Sequence, residues 1–491
     1  MNPLKKLAGQ TVLYGLSSVI GRFLNYLLVP LYTNIFLPEA YGVVTEFYAY
    51  VGFFVVLLTY GMETAYFNFA SGKKGDEKES YYATGLWSLL GTTSVFLFLA
   101  LVFSPQIATF LEYPNNPEYI QYFAWILTLD ALSALPFARL RLENKAARFA
   151  GIKILNISIN IGANLFFLVL LPWLIKNEIL ESLHFLYNPE IGVAYIFISN
   201  LLASIVTLIF LLPLFKGLKI GWSPRQWKPM VKYALPLMVV GFAGIVNEMA
   251  DRIMLKQLLP FELKERMAMI GIYGANYKIA ILMTLFIQAF RYAAEPFFFN
   301  QASSKDAKKL YVKVLDFFVL FGCLVFLGVL FYIDIVQYFI GEAYRSGLKA
   351  VPVLLMANLF LGIQINISIW YKLTGQTKTG ALIALATAFI TVLFNFLLIP
   401  EFYYMGSAWA TLIAYVSMVI MTALAGHKYY PVKYNWEKIT LYILTALALY
   451  LLSANLDLLF QMETTTRLLI NTILLLPFIL LIWILERKIK G

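Results

Sequence analysis

An all-α membrane protein of about fourteen transmembrane helices is the fold class this chain specifies. Hydrophobic residues fill 61% of its 491 positions and charged residues only 13%. The apolar residues gather into fourteen stretches of roughly 20 residues, each long enough to cross a bilayer core of about 30 Å as a helix. The lysines and arginines fall in alternate connections between those stretches.

The first span is expected over 10–33. Its apolar run, 11–36, is too long for a signal-peptide core, contains Arg22 and Asn25, and lacks a small-residue cleavage site, so it should remain in the mature chain. Spans 2 to 6 follow at 43–66, 83–104, 119–138, 152–175 and 191–214. Spans 7 to 12 are expected at 233–255, 271–293, 311–333, 350–371, 380–399 and 406–426. The last two are placed at 438–455 and 467–485. With the N-terminus inside, the inside connections hold 27 of the 38 basic residues and the outside ones hold seven: Lys176, Lys256, Lys264, Arg266, Arg345, Lys349 and Arg467. The positive-inside rule therefore puts both termini in the cytoplasm. It also accounts for the net charge of +11 without nucleic acid, since a basic cytoplasmic rim faces anionic lipid headgroups. No connection exceeds about 17 residues, which leaves no room for a soluble catalytic domain.

The chain also looks doubled. Pro38-Glu39-Ala40-Tyr41-Gly42 follows span 1 as Leu259-Pro260 and then Tyr273-Gly274 follow span 7. Ile191-Gly192-Val193-Ala194-Tyr195 opens span 6 as Met405-Gly406-Ser407-Ala408-Trp409 opens span 12. The offsets are 232 and 214 residues. Two six-helix bundles, 1–215 and 233–430, are expected, with two added helices over 436–491 and a junction at Tyr429 to Lys438. Six spans per half is an even number, so the halves would be parallel repeats with a site at their interface near mid-depth.

Common catalytic signatures are missing. The chain has no phosphate-binding loop of the Gly-x-x-x-x-Gly-Lys-Ser/Thr kind and no His-Glu-x-x-His or Cys-x-x-Cys pattern, so neither ATP hydrolysis nor a metal site is expected. His184 and His427 both fall in connections. Cys323 is the one cysteine and lies in a span.

Charges inside the spans are the candidates for function, because an ionisable group there costs several kcal/mol unless it faces protein or water. Four cations qualify: Arg22, Arg252, Lys278 and Arg291. Arg22 and Lys278 have no acidic residue one turn away. Arg252 has Glu248 one turn earlier, with Asp251 turned about 100° away around the helix. Arg291 has Glu295 one turn later, so an interfacial ion pair competes with a functional role there. Glu46, Asp130, Glu248 and Asp251 are the buried carboxylates, suited either to carry Na⁺ or H⁺ or to pair with those cations. Asn25, Tyr26, Asn247, Asn276 and Tyr277 offer amides, hydroxyls and aromatic faces to a sugar, against the alternative of helix-helix hydrogen bonding.

These segments resemble a known family. Ser17 to Arg22, Pro30-Leu31-Tyr32-Thr33, Pro38 to Gly42, Gly61-Met62-Glu63-Thr64-Ala65, Asp251-Arg252, Tyr273-Gly274 and Tyr277-Lys278 are similar to the bacterial polysaccharide biosynthesis exporters. That is the O-antigen flippase branch of the multidrug/oligosaccharidyl-lipid/polysaccharide exporter superfamily. The resemblance implies two six-helix bundles in a V shape, often with two extra helices, and a cationic central cavity. It implies movement of undecaprenyl-pyrophosphate-linked sugar units from the cytoplasmic to the periplasmic leaflet of the bacterial inner membrane. Arg22, Arg252 and Lys278 match the cavity cations, and Arg291 less closely. The implied partners are the lipid-linked oligosaccharide, membrane lipids and the polymerase and glycosyltransferases of the same pathway; no cofactor is expected beyond coupling to Na⁺, H⁺ or the membrane potential. A cation-coupled drug exporter of the same superfamily and a membrane-embedded polymerase or ligase are the rival expectations.

Overall fold

The computed structural model describes residues 21, 23–177, 188–301 and 306–487. Among these, eleven helices are long and apolar enough to cross a membrane, and a shorter apolar helix follows them. The chain is a multi-pass membrane protein. Expected spans 2 to 14 all coincide with helices, and half of span 1, Arg22 included, lies outside the described residues.

In chain order the helices are α1 (Leu28–Ile35), α2 (Pro38–Thr59), α3 (Met62–Ala70), α4 (Gly75–Val102), α5 (Ser104–Phe110) and α6 (Pro117–Leu142). Then come α7 (Ala146–Lys176), α8 (Ala194–Leu211), α9 (Pro224–Leu258), α10 (Leu263–Gln301) and α11 (Ala307–Phe331). A 3-10 helical turn segment at Glu342–Ala350 leads to α12 (Val351–Ile367), α13 (Ile369–Leu373), α14 (Thr377–Tyr429), α15 (Trp436–Phe460) and α16 (Thr464–Arg487).

Two of these depart from the expected spans for local reasons. The second span is not one helix over 43–66. It starts at Pro38, whose missing N–H costs nothing in a first turn, and breaks at Tyr60 and Gly61, where φ is +34° and +74°. A Cβ on Gly61 would sit 2.9 Å from the Ala234 carbonyl oxygen, so both backbone angle and space demand glycine. Conversely, α14 joins spans 11 and 12. The chain turns at Tyr403, with φ +54°, just after Pro400, and Gly406 lies so close to the Leu398 carbonyl that no side chain fits.

Packing divides the chain into two compact units, the first running to Phe36 and from Ala40 to Ile253, the second taking in Leu37–Glu39 and the chain from Met254. The expected bundles put the boundary before 233; the packing puts it inside α9. The first part of α9 docks within the first unit: Gln226 accepts hydrogen bonds from Ser80 and Thr84, and Phe242 packs edge-on against Phe53. The core of that unit is aromatic, with Phe47, Phe123 and Phe197 in mutual contact and Tyr66 against Tyr82. In the second unit, α12 and α14 pack closely through small buried residues, Ala357 on one and Ala408, Ala410 and Ala414 on the other. Lipid is as apolar as leucine, so close backbone approach replaces the hydrophobic drive. Helices α15 and α16 belong to this unit and pack on α11.

Candidate functional site

Of the four expected cations, Arg22 lies outside the described residues. Arg252 belongs to the first unit, Lys278 and Arg291 to the second.

Arg252 is 5% exposed near the end of α9. Its carboxylate partner is not the expected Glu248, which is exposed. The guanidinium Nη1 instead donates to Asp251 Oδ1 at 2.7 Å and to the backbone carbonyl of Glu248. A position-by-position angle placed Asp251 a quarter-turn away; the long arginine stem curls back far enough to cancel that angle. Asn247, one turn earlier, is also buried.

Lys278 is half-buried on α10, next to Tyr277 and one turn after Gly274. Arg291 stands 13 residues further along the same helix, which at 1.5 Å per residue is about 20 Å away. One diphosphate cannot bridge that distance. The two cations occupy separate depths of the second unit. Arg291 borders a recess lined also by Ile287, Phe290, Asn366, Ile369 and Lys372. The side chain of Glu295 is outside the described ones.

The expected carboxylates are held by neutral donors or by near neighbours. Glu46, fully buried on α2, accepts a hydrogen bond from Tyr50 Oη at 3.1 Å and another from Tyr113 Oη. Burial and the adjacent Glu46 carboxylate both push the Tyr113 phenol well above its ordinary value, so it stays a donor. Asp130 on α6 accepts from Ser204 Oγ on α8 at 2.8 Å.

The polar candidates divide. Asn276 is fully buried and its amide donates to the Ile272 and Tyr344 carbonyls, each at 2.8 Å. That amide nitrogen is committed to holding the Glu342–Ala350 turn and not to a sugar. Tyr26 and Tyr277 are each 8% exposed, and Tyr277 packs on Tyr273. Asn25 is different: its Oδ1 accepts from Asn160 Nδ2 at 3.2 Å in an exposed position. Asn160 continues a stripe on α7, at helical spacing, with Asn164, which takes a hydrogen bond from Tyr32 at 2.9 Å. Asn164 itself is fully buried, with its amide nitrogen given to Asn160, so only Asn25 and Asn160 of this set stand near the surface.

Several functional-looking charges escaped the sequence reading. Lys153, at the very start of expected span 5, lies on α7 with its ammonium 4.2 Å from the Phe137 ring centre. Lys256, assigned to an outside connection, is fully buried on α9. Lys438 and Asp316 form a buried pair at 3.3 Å between α15 and α11. The usable signal was Asp316 itself, an acidic residue five positions inside expected span 9.

A family model described as "Polysaccharide biosynthesis protein" matches residues 7–301. Compared with curated proteins, the chain matches none. Among solved structures it is similar to the inward-closed lipid II flippase MurJ, with a TM-score of 0.74 and 16% identity, covering 98% of this chain and 100% of that one. It is also similar to the MATE multidrug transporter DinF-BH (TM-score 0.60, 18% identity, 86% and 96% covered). An outward-facing multidrug resistance MATE family transporter of the MOP superfamily gives 0.59 and 14%, with 87% and 98% covered. At these identities the likeness carries the fold.

Proposed function

The chain belongs to the polysaccharide biosynthesis protein family, and from that premise we propose that it is a flippase for undecaprenyl-pyrophosphate-linked oligosaccharides. It would carry each repeat unit from the cytoplasmic to the periplasmic leaflet by alternating access, leaving the cargo chemically unchanged. The observation that carries this reading is the set of cations kept inside membrane helices, Arg252 and Lys278 above all, on an exporter fold. A neutral sugar asks only for amides, hydroxyls and aromatic faces. A pyrophosphate asks for guanidinium and ammonium groups, and those are what the spans retain at a cost of several kcal/mol.

The electrical sign agrees. Moving negative phosphate outward across an inside-negative membrane is favourable by about 2.3 kcal/mol per charge per 100 mV, and so is returning an empty cationic site inward. If bound substrate and site charges cancel, only the return step is driven. The termini in this reading are cytoplasmic and the membrane is the bacterial inner membrane, with the pathway's polymerase and glycosyltransferases as partners.

The rival, a cation-coupled exporter of small drugs, draws on the buried carboxylates Glu46 and Asp251. Translocation of a fluorescent undecaprenyl-pyrophosphate oligosaccharide in proteoliposomes separates the two. Wild-type protein should flip it, and Lys278→Ala should flip it at background rate at equal reconstituted amounts. Flipping by the alanine variant at the wild-type rate removes Lys278 from the site; no flipping by wild type, with drug efflux instead, establishes the rival.

A further inference from the structure

The first three turns of α9, all within the first unit, have two faces of opposite character. Gln226, Trp227, Met230 and Ala234 recur at helical spacing and point inward. Gln226 accepts hydrogen bonds from Ser80 and Thr84 of α4, Trp227 Nε1 donates to Ser88 Oγ at 2.7 Å, and Met230 and Ala234 are fully buried. Just ahead, the Ser223 backbone N–H donates to Thr84 Oγ1 at 3.3 Å. These contacts fix the roll of the helix. Arg225, Lys228 and Lys232, at intervals of three and four residues, are thereby turned outward, and all three are exposed. Among the described residues none of the three makes an ion pair. Other basic residues in the first unit do: Lys73 pairs with Glu77, Arg139 with Glu79, Arg141 with Glu63 and Lys145 with Glu143.

Aromatic rings flank the three cations. Trp222, with its ring centre 5.8 Å from that of Trp227, is 49% exposed, and Tyr233 is 39% exposed. Beyond Lys232 the same face turns apolar, with Leu235 and Val239 exposed. Cations first, tryptophan and tyrosine beside them, then bare leucine and valine is the order in which a bilayer presents headgroups, interface and hydrocarbon. Arg225 and Lys232 are about 10 Å apart along the axis, a spread that their long stems cover in reaching one headgroup layer. Like charges at these spacings repel one another. Anionic headgroups turn that repulsion into attraction.

We infer that this face of α9 is a binding site for the headgroups of anionic phospholipids. The occupant is lipid of the surrounding leaflet and not a lipid-linked glycan, because a convex, exposed helix face meets headgroups well and gives a sugar nothing to enclose it. The chain's charge pattern sets many basic residues near a membrane surface; packing against α4 is what singles out these three, by facing them outward away from any carboxylate. The site does not depend on what the protein transports.

Full-length protein in neutral detergent is titrated with phosphatidylglycerol or phosphatidylcholine and followed by native mass spectrometry. Wild type should retain phosphatidylglycerol at concentrations where it retains no phosphatidylcholine. One basic residue at an anionic lipid surface is worth about a fivefold change in affinity. Lys228→Gln should therefore need about five times more phosphatidylglycerol for equal occupancy of the tightest site. Arg225→Gln, Lys228→Gln and Lys232→Gln together should bring retention down to the phosphatidylcholine level, while Arg225→Lys with Lys228→Arg and Lys232→Arg stays near wild type. A control triple, Lys73→Gln, Lys74→Gln and Lys78→Gln, removes the same charge elsewhere in the unit and should leave the tightest site unchanged. Equal loss in the control overturns the site, since net charge alone then explains binding. No preference in wild type, or undiminished retention in the α9 triple, overturns it too; the latter is also the outcome if the face docks a protein. The three side chains are exposed, so the variants should fold, and an unchanged elution profile checks that. If the triple does not fold, the fivefold shift in Lys228→Gln, present or absent, decides. No step measures transport, so the result leaves the flippase reading untouched.

Discussion

Arg252 shows how one residue can be both a scaffold and a site. Its guanidinium is buried against Asp251, with side chains 6% and 5% exposed. Removing one partner of such a pair costs about 3–5 kcal/mol, because the other charge is left in a poor solvent. Asp251→Ala should therefore lower the melting temperature in detergent sharply. Asp251→Ala combined with Arg252→Leu should recover most of that loss. If Arg252 only braced the helix, the double variant would also recover transport; on the flippase reading it stays inactive while stable. Glu143, in the connection after α6, gives a pH-dependent counterpart. Burial alone would raise its carboxyl, but hydrogen bonds from Lys145 and Arg139, at 2.6 and 2.7 Å, outweigh burial and hold it below the ordinary value. A depressed carboxylate stabilises the fold above its unfolded pKa of about 4.3, and that stabilisation is lost as pH falls through the folded value. Glu143→Gln should be the less stable protein at pH 7, by about 1 kcal/mol given the half-exposed Lys145. The gap in melting temperature should begin to narrow as pH falls below the ordinary carboxylate value and vanish once Glu143 is protonated in the folded protein; a gap that acid does not narrow means the pairs contribute nothing.

At the scale of the element, the two C-terminal helices are tied to α11 near both its ends. Lys438 meets Asp316 near one end, and near the other Arg467 grips Asp334 through two hydrogen bonds of 2.6 Å while also reaching Asp457 at 2.5 Å. Between these, Asn471 donates to the Phe331 carbonyl at 2.9 Å and accepts from Ser453. The sequence sets residues 436–491 apart as two added helices. Deleting them would strip Asp316 and Asp334 of these partners. Lys438→Met should cost about 3–5 kcal/mol, and Lys438→Met with Asp316→Leu should restore stability, since an apolar pair of similar size replaces a buried ion pair well. Thermal unfolding decides it: a single variant as stable as wild type would mean that the pair is wet. Where the double variant is stable, its flipping rate also tells whether these helices serve the substrate or only the packing.

At the scale of the molecule, orientation is the property with the widest consequences. On the proposed orientation, the 27-to-7 division of basic residues is expected to leave Lys145 and Lys228 on the cytoplasmic side. Reporter fusions at both positions should read cytoplasmic. An external reading at either reverses the direction of transport proposed for the whole protein and moves the basic face of α9 to the opposite side of the membrane.

The positions of the spans were legible because apolar length and loop charge are local properties, set by the bilayer and not by tertiary contacts. Even there, the break at Tyr60–Gly61 and the turn at Tyr403 needed the structure: Gly61 reads as an ordinary helix-end glycine until the Ala234 carbonyl appears beside it. Candidate cations could be picked out where they fall inside apolar runs, but Lys153 and Lys256, at the ends of such runs, could not, because whether a charge is buried depends on what packs around it. Which acid answers which cation was not legible either. Glu248 was one turn from Arg252 and Asp251 was its neighbour, and helical spacing favoured the one that does not pair; side-chain reach decided otherwise. Gln226 and Ser80 are 146 positions apart and Lys438 and Asp316 are 122. Pairings across that much chain depend on which helices pack together, and span-by-span hydropathy contains nothing about that; the packing of α9 against α4 and of α11 against α15 supplied it.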